Sequence, residues 1–317
     1  MIPLHLEVYN DFLEKSGYEF VKVIEDETFP IIEYIKDGNP CVIKVLDGMN
    51  AGENEIHIIV NEIKINNHIK SEVSDAHKKF LVAPIDILCD NEGDQTIFIV
   101  MERMNGTLHN INTKFFIKNC NQIVSKIFKC IYVMHKNNMV HADLKSDNIF
   151  YKIVNGKFEI KIGDFGTSNF LDATEQDIMC GTYIPEDMII NNGLMEDYRK
   201  IDYWQIAITL YCLFTDNQQD FYNKKLTRDE IDFENIYNTI SQIKNPYLSK
   251  FLLDCLGKLI KPNKTSKTKQ LFSYIENNGR CRAKVKDRSS KKARICKKRG
   301  RYFGYCDTHK DLFKNPR

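Results

Sequence analysis

The apolar pattern of this chain changes period near Asn105, and that change restricts the folds open to it. Before that point "FVKVI", "PIIEYI" and "CVIKVL" are short and rich in Val and Ile, as strands are. The last two are separated by "KDGN", whose Asp-Gly pair suits a hairpin turn. "ENEIHIIVNEIKINNHIKSE" reads as a helix, and "FLVAPIDIL" and "TIFIVMERM" return to strand. Beyond Asn105, Ile123, Ile127, Ile131 and Met134 recur at helical spacing. "KIDYWQIAITLYCLF" and "PYLSKFLLDCLGKLI" are apolar enough for buried helices. A strand-rich first third and a helix-rich remainder predict an α+β chain of two lobes. With 317 residues, 43% of them hydrophobic, the chain can bury a sizeable core.

Charge separates a third segment. From Arg280 to Arg317 there are 15 Lys and Arg against three Asp, a net of +12. The rest carries 30 basic and 40 acidic residues, a net of −10. Seven of the ten cysteines are scattered singly from Cys41 to Cys255, as buried free thiols in a reducing compartment are. The other three crowd the tail. The opening "MIPLHLEVYNDFLEK" lacks the basic start and long apolar run of a signal peptide, and no apolar run is long enough to span a bilayer. These features predict a soluble intracellular protein with no membrane partner.

The chemistry concentrates in "HADLKSDNIF", His141 to Phe150, where an acid is followed by Lys two residues on and Asn five residues on. "IGDFG" comes next, with Asp164, Phe165 and Gly166. Singly, such Asp and Asn are ordinary turn residues. Together and in this order they resemble the catalytic loop and metal-binding motif of eukaryotic-type serine/threonine protein kinases, including divergent ones of large DNA viruses. The resemblance covers roughly residues 15 to 275. It implies a bilobal fold: a β-rich N-lobe over 1–101, then a helical C-lobe over 102–277 holding hinge, catalytic loop and activation segment.

The resemblance also implies roles. Asp143 would accept the proton of the substrate hydroxyl, Lys145 would steady the transferring phosphate, and Asn148 and Asp164 would hold Mg²⁺ or Mn²⁺. Lys44 in "CVIKVL" matches the lysine that holds the ATP α and β phosphates. Its helix partner is Glu62, with Glu55 the other candidate, because Glu62 puts polar Asn66 where the family packs an apolar residue. Met101 would guard the back of the adenine pocket, the backbone of Glu102 and Met104 would bond adenine, and Ile32, Val42 and Phe150 would sandwich the ring. Each of these apolar residues is also a candidate for plain core, but their register with the other motifs favours the pocket. "CGTYIPE" resembles the end of the activation segment, with Pro185 and Glu186 as its closing pair. "IDYW" matches the buried helix in which Asp202 braces the catalytic loop and Trp204 packs. Thr167 implies threonine acceptors.

Four departures set this chain apart from that pattern. The family's glycine loop is replaced by Glu25-Asp26-Glu27-Thr28-Phe29-Pro30-Ile31-Ile32, with Phe29 and Ile32 expected to keep register. Glycine permits close backbone approach to phosphates; Glu does not, and its charge has the wrong sign. Ala142 replaces an Arg that reads a phosphate on the activation segment, which implies a constitutive enzyme. Only Tyr183 and Ile184 separate Thr182 from Pro185, fewer than the family's docking segment has. Thr265 stands where a late helix offers Arg to Glu186, with Lys264 or Lys267 as substitutes.

The tail, 278–317, holds Cys281, Cys296, Cys306 and His309, the last two spaced C-x-x-H. Three thiolates and an imidazole suit tetrahedral structural Zn²⁺, and a segment too short for its own core gains order from a metal. Free thiols in a disordered tail are the other reading. "KKARICKKRGR" with Tyr302, Phe303 and Tyr305 suits nucleic-acid phosphates and bases, or nuclear import. The chain is therefore expected to transfer the ATP γ-phosphate to a protein hydroxyl, inside a host cell's cytoplasm or nucleus, with virion association a further expectation. A pseudokinase scaffold whose tail binds nucleic acid or a partner protein is the alternative. Small-molecule phosphorylation is a weaker third.

Overall fold

A computed structural model describes residues 2–49, 51–90, 96–173, 198–215, 284–286 and 293–295. Helix α1 (Glu7–Lys15) precedes strands β1 (Glu19–Glu25), β2 (Ile31–Lys36) and β3 (Asn39–Leu46). Helices α2 (Glu53–Ser71) and α3 (Asp75–Lys78) follow, then β4 (Pro84–Cys89) and β5 (Ile97–Glu102). The five strands form one antiparallel sheet in the order β1-β2-β3-β5-β4. Asp37 and Gly38 both take positive φ, 51° and 75°, so "KDGN" closes the β2–β3 hairpin in the twist-matched conformation its sequence favours.

The sheet buries both faces. On one side Leu6 and Leu13 meet Ile32, Tyr34, Ile43, Val45, Phe98 and Val100. Helix α1 covers this face, and Phe12 stacks on Phe98 at 5.1 Å. Sequence reading assigned no element to the opening residues; α1 exists because its apolar side has this face to cover. On the other side Leu46 and Ile99 pack with Ile59 of α2.

The second lobe is built on helix α4 (Thr113–Lys136), which follows the short β6 (Gly106–Thr107). Asn112 caps α4, its side chain accepting from the amides of Lys114 and Phe115. Ile123, Ile127, Ile131 and Met134 are fully buried in one core with Trp204 and Leu210 of α5 (Arg199–Thr215). Between these helices run β7 (Met139–Val140), β8 (Ile149–Val154), β9 (Lys157–Ile162) and β10 (Asn169–Phe170). A three-stranded sheet, β6-β8-β9, and the pair β7–β10 frame the loops that carry the polar motifs. In the tail, β11 (Lys284–Lys286) and β12 (Ala293–Ile295) pair antiparallel. The α+β, two-lobed expectation matches this architecture. The expected helix "PYLSKFLLDCLGKLI" lies outside the described residues.

One flaw in the packing is visible in α2. Asn66 is 1% exposed; its Nδ2 donates to the Glu62 carbonyl at 2.9 Å, but its Oδ1 has no partner among the described residues. A buried acceptor left unsatisfied costs about 1–3 kcal/mol. Asn66→Leu is therefore expected to raise stability by about 1 kcal/mol, a few degrees in Tm, in thermal denaturation. A lowered Tm would show that the Asn66 oxygen has a partner in solution.

Candidate active site

Lys44 enters the cleft because the pleat of β3 sends it, with Val42 and Leu46, to the face opposite α1. It is 7% exposed, and a buried ammonium must be paired. Its Nζ donates to Glu62 Oε2 at 2.6 Å and to Asp164 Oδ1 at 2.8 Å. Burial works against the charged lysine, but Asp164 and Glu62 outweigh it and raise its pKa. Burial raises the Glu62 carboxyl, with Lys44 pulling it down. Burial also acts to raise Asp164, yet Lys44 overrides it and holds that carboxyl at about 2. Glu55, the other candidate, instead caps its own helix by accepting from the Gly52 amide at 2.8 Å.

The "IGDFG" glycines are required sterically. A Cβ on Gly163 would lie 2.8 Å from the Val82 side chain, and one on Gly166 would lie 2.6 Å from Ile58 of α2. Asp164 between them takes φ 62°, in the left-handed region. The segment is thus pressed between α2 and the β4 side of the cleft, which brings Asp164 to Lys44.

Across the cleft, Lys145 Nζ pairs with Asp143 Oδ2 at 2.9 Å. Burial would lower the lysine, but Asp143 keeps it raised and charged. Asn148 Nδ2 donates to the Asp143 carbonyl at 2.8 Å and to its Oδ2 at 3.3 Å, which leaves Asn148 Oδ1 as an available acceptor. The loop itself is tied down from several sides. His141 Nε2 donates to the Gly163 carbonyl at 3.0 Å, and its Nδ1 accepts from the Asp143 amide at 3.3 Å. Asp202 accepts from the amides of His141 and Ala142 at 3.1 and 2.9 Å. Thr167 Oγ1 donates to the His141 carbonyl at 3.2 Å. Sequence reading identified Asp202 as the brace but missed Gln205 and Thr209, which bond the same loop. Their signal was available: Asp202, Gln205 and Thr209 share one helical face.

The pocket residues require one correction. Val42 pairs with Met101 across β3–β5, so both share the Lys44 face. Met104 is buried, and Phe150 approaches Gly163 at the cleft floor. Ile32, however, pairs with Ile43 and packs under α1, on the far face. It is core and cannot sandwich a ring in the cleft. Ile31, paired with Lys44, lies on the cleft face instead. Side chains alternate between the two faces of a strand, so with Ile31 opposite Lys44, Ile32 must face the α1 side. The hinge is braced by charge: Glu102 pairs with Lys161, and Arg103 Nε meets Glu33 Oε2 at 3.1 Å.

The acidic turn divides its charges. Glu25 stands opposite Ile31, on the cleft side. Partial burial, then Glu27 and Asp164, raise its carboxyl, with Lys44 opposing. Asp26 turns outward to His5 at 2.9 Å. Phe29 packs against the Leu46–Ile59–Ile99 cluster, and Lys44 Nζ lies 5.7 Å from its ring centre.

Among the described residues, no three His, Cys, Asp or Glu side chains are grouped to hold a metal by themselves. The oxygens of Asp164 and Asn148 suit a hard cation shared with phosphate. Thr182, Pro185, Glu186, Thr265 and the expected zinc ligands Cys281, Cys296, Cys306 and His309 lie outside the described residues. No described helix is long and apolar enough to cross a membrane.

A β-sheet lobe and a helical lobe, with a buried Lys–Glu pair facing Asp143, Asn148 and Asp164, define a protein-kinase fold. The family comparison agrees over residues 31–285, which match the protein kinase domain, and the chain belongs to that family. A Dictyostelium discoideum chain described as a probable serine/threonine-protein kinase is 27% identical over 291 residues, 78% of this chain and 60% of that one. Serine/threonine-protein kinase cds1 of Schizosaccharomyces pombe is 23% identical over 218 residues, 64% of this chain and 45% of that one. This chain thus spans about half the length of these two relatives. A chain of Acanthamoeba polyphaga mimivirus assigned to the serine/threonine-protein kinases is 26% identical over 239 residues, 68% of this chain and 78% of that one. The Cydia pomonella granulovirus kinase PK-1 shares the fold, with a TM-score of 0.52 at 18% identity over 81% of this chain and 93% of that one.

The steric pinch at Gly166 yields a test. Gly166→Ala must displace Ile58 and with it α2, which carries Glu62. It is expected to destabilise the protein by about 1–3 kcal/mol in denaturant melts. An unchanged midpoint would show that α2 yields at no cost.

Proposed function

We propose that the chain transfers the γ-phosphate of ATP to a Ser or Thr hydroxyl of a protein. The observation that carries this reading is the pairing of Lys44 with Glu62 and Asp164, at 2.6 and 2.8 Å, in a cleft that also holds the Asp143–Lys145 pair. Lys44 supplies a fixed positive charge for the α and β phosphates. Asp143 takes the proton as the hydroxyl oxygen bonds to the γ-phosphorus, and the bond to the β–γ bridging oxygen breaks to release ADP. Lys145, held charged beside Asp143, offsets the charge of the transferring group. Asn148 and Asp164 are the residues that would hold Mg²⁺ or Mn²⁺, which neutralises phosphate charge when bound. Val42, Met101, Phe150 and Ile31 form the apolar pocket for adenine, with the Glu102 and Met104 backbone at its edge. Thr167 supports threonine among the acceptors.

The acidic turn supports a second reading, in which the fold serves as a binding scaffold. Glu25 faces the phosphate region, and Phe29 sits close to Lys44. For the tail, the proposal is a Zn²⁺ site formed by Cys281, Cys296, Cys306 and His309; the β11–β12 hairpin, which falls between Cys281 and Cys296 in sequence, supports it. The basic run beside it is proposed to meet phosphates of nucleic acid.

Phosphate transfer from labelled ATP to a basic protein, with Asp143→Asn and Asp164→Ala beside wild type, separates enzyme from scaffold. Transfer by wild type that is lost in both variants is expected. No transfer at millimolar ATP would favour the scaffold. The turn has its own readout. A like charge near 4 Å costs about 1 kcal/mol in a water-like setting, and about 1.4 kcal/mol is tenfold in affinity. Glu25→Gln is therefore expected to lower the Kd for ATP several-fold in titration calorimetry. An unchanged Kd would show that Glu25 stays clear of the phosphates.

A further inference from the structure

The loop that carries Asp143 is strained on one side. Ala142 takes φ 63°, a left-handed conformation that an L residue holds only when its surroundings enforce it. The enforcement comes from three residues of α5 one turn apart. Asp202 accepts the amides of His141 and Ala142. Gln205, fully buried, spans Asp143: its Nε2 donates to the Ala142 carbonyl at 2.7 Å, and its Oε1 accepts from the Leu144 amide at 2.8 Å. Thr209 Oγ1 donates to the Leu144 carbonyl at 3.0 Å and to the Gln205 carbonyl at 2.8 Å.

Gln205 thus grips the backbone immediately before and after Asp143 with a single planar group. A carboxamide offers one donor face and one acceptor face in fixed relation, which matches a carbonyl and an amide two residues apart. A carboxylate could not donate to Ala142, and a shorter hydroxyl could not serve both. Both Gln205 bonds are buried, where an unmade bond is costly, so the grip is stiff.

We infer that Gln205 is the positioning residue that sets where the Asp143 carboxylate stands. This rests on the reading of Asp143 as the acceptor of the hydroxyl proton. Gln205 touches neither substrate nor nucleotide. Its loss therefore misplaces Asp143 at the moment of transfer and leaves ATP binding through Lys44 intact. With Ala142 unable to reach toward an activation-segment phosphate, the position of Asp143 is set by helix α5 instead.

Gln205→Met keeps the volume and removes both bonds. Steady-state kinetics of this variant are expected to show kcat lowered by about tenfold or more, with the KM for ATP within about twofold of wild type. A merely structural role would lower the melting temperature and leave the kcat of the folded fraction unchanged. Amide exchange of the wild type gives a reading independent of any variant, and it decides the matter if Gln205→Met does not fold. The Leu144 amide is expected to be protected as strongly as the amides of α5. A folded Gln205→Met enzyme with kcat within about twofold of wild type overturns the inference, as does a freely exchanging Leu144 amide. A wild type that transfers no phosphate removes the kinase reading itself, and this inference with it.

Discussion

The charge of Lys44 is the constraint around which the cleft is arranged. A buried ammonium has to be met by carboxylates, and here two come from distant parts of the chain: Glu62 from α2 and Asp164 from the segment after β9. Removing Glu62, the buried partner, costs about 3–5 kcal/mol, and the half-exposed Asp164 adds a second tie, so sheet, helix and loop are held to one another through Lys44. The glycines around Asp164 serve that arrangement, since α2 and the Val82 region come too close for any side chain there. The apolar cluster of Leu46, Ile59 and Ile99 presses α2 to the sheet and keeps Glu62 within reach.

The second lobe solves a different problem, which is to hold a strained loop still. His141, Ala142 and Leu144 give their backbone groups to Asp202, Gln205 and Thr209 on a helix buried in the main core. The rigidity of α5 is thereby passed to Asp143 without a charged residue at position 142. Glu102 and Arg103 tie the hinge to both lobes through Lys161 and Glu33. The acidic turn fits this picture in part: Asp26 pairs with His5 at the surface, while Glu25 stands on the cleft side, within the influence of Glu27 and Asp164.

Much of this could be read from the chain itself. The strands β1 to β5, helices α2 and α5 and the Asp37-Gly38 hairpin follow local patterns of period and turn chemistry. Lys44, Asp143, Asn148 and Asp164 stand out because their spacing is tied to short motifs. Other features were not legible, for physical reasons. Helix α1 depends on a sheet face that exists only once the strands have paired. Gln205 looks like any polar residue in an apolar helix until the loop it grips is folded against it. Ile32 was assigned to the cleft by motif register, yet strand pairing put Ile31 there, because the face a strand residue presents is fixed only once its partner strand is in place.

By itself the sequence determined the two-lobed class, the strands of the first lobe, the helices of strong apolar period and the chemical types available at the site. These are local properties: apolar period, turn residues, and the spacing of acids, lysine and asparagine. The tertiary structure decided which carboxylate meets Lys44, which face each residue of β2 presents, and what holds Asp143. Those outcomes depend on contacts between segments as far apart as the 120 positions between Lys44 and Asp164, and only packing brings such segments together.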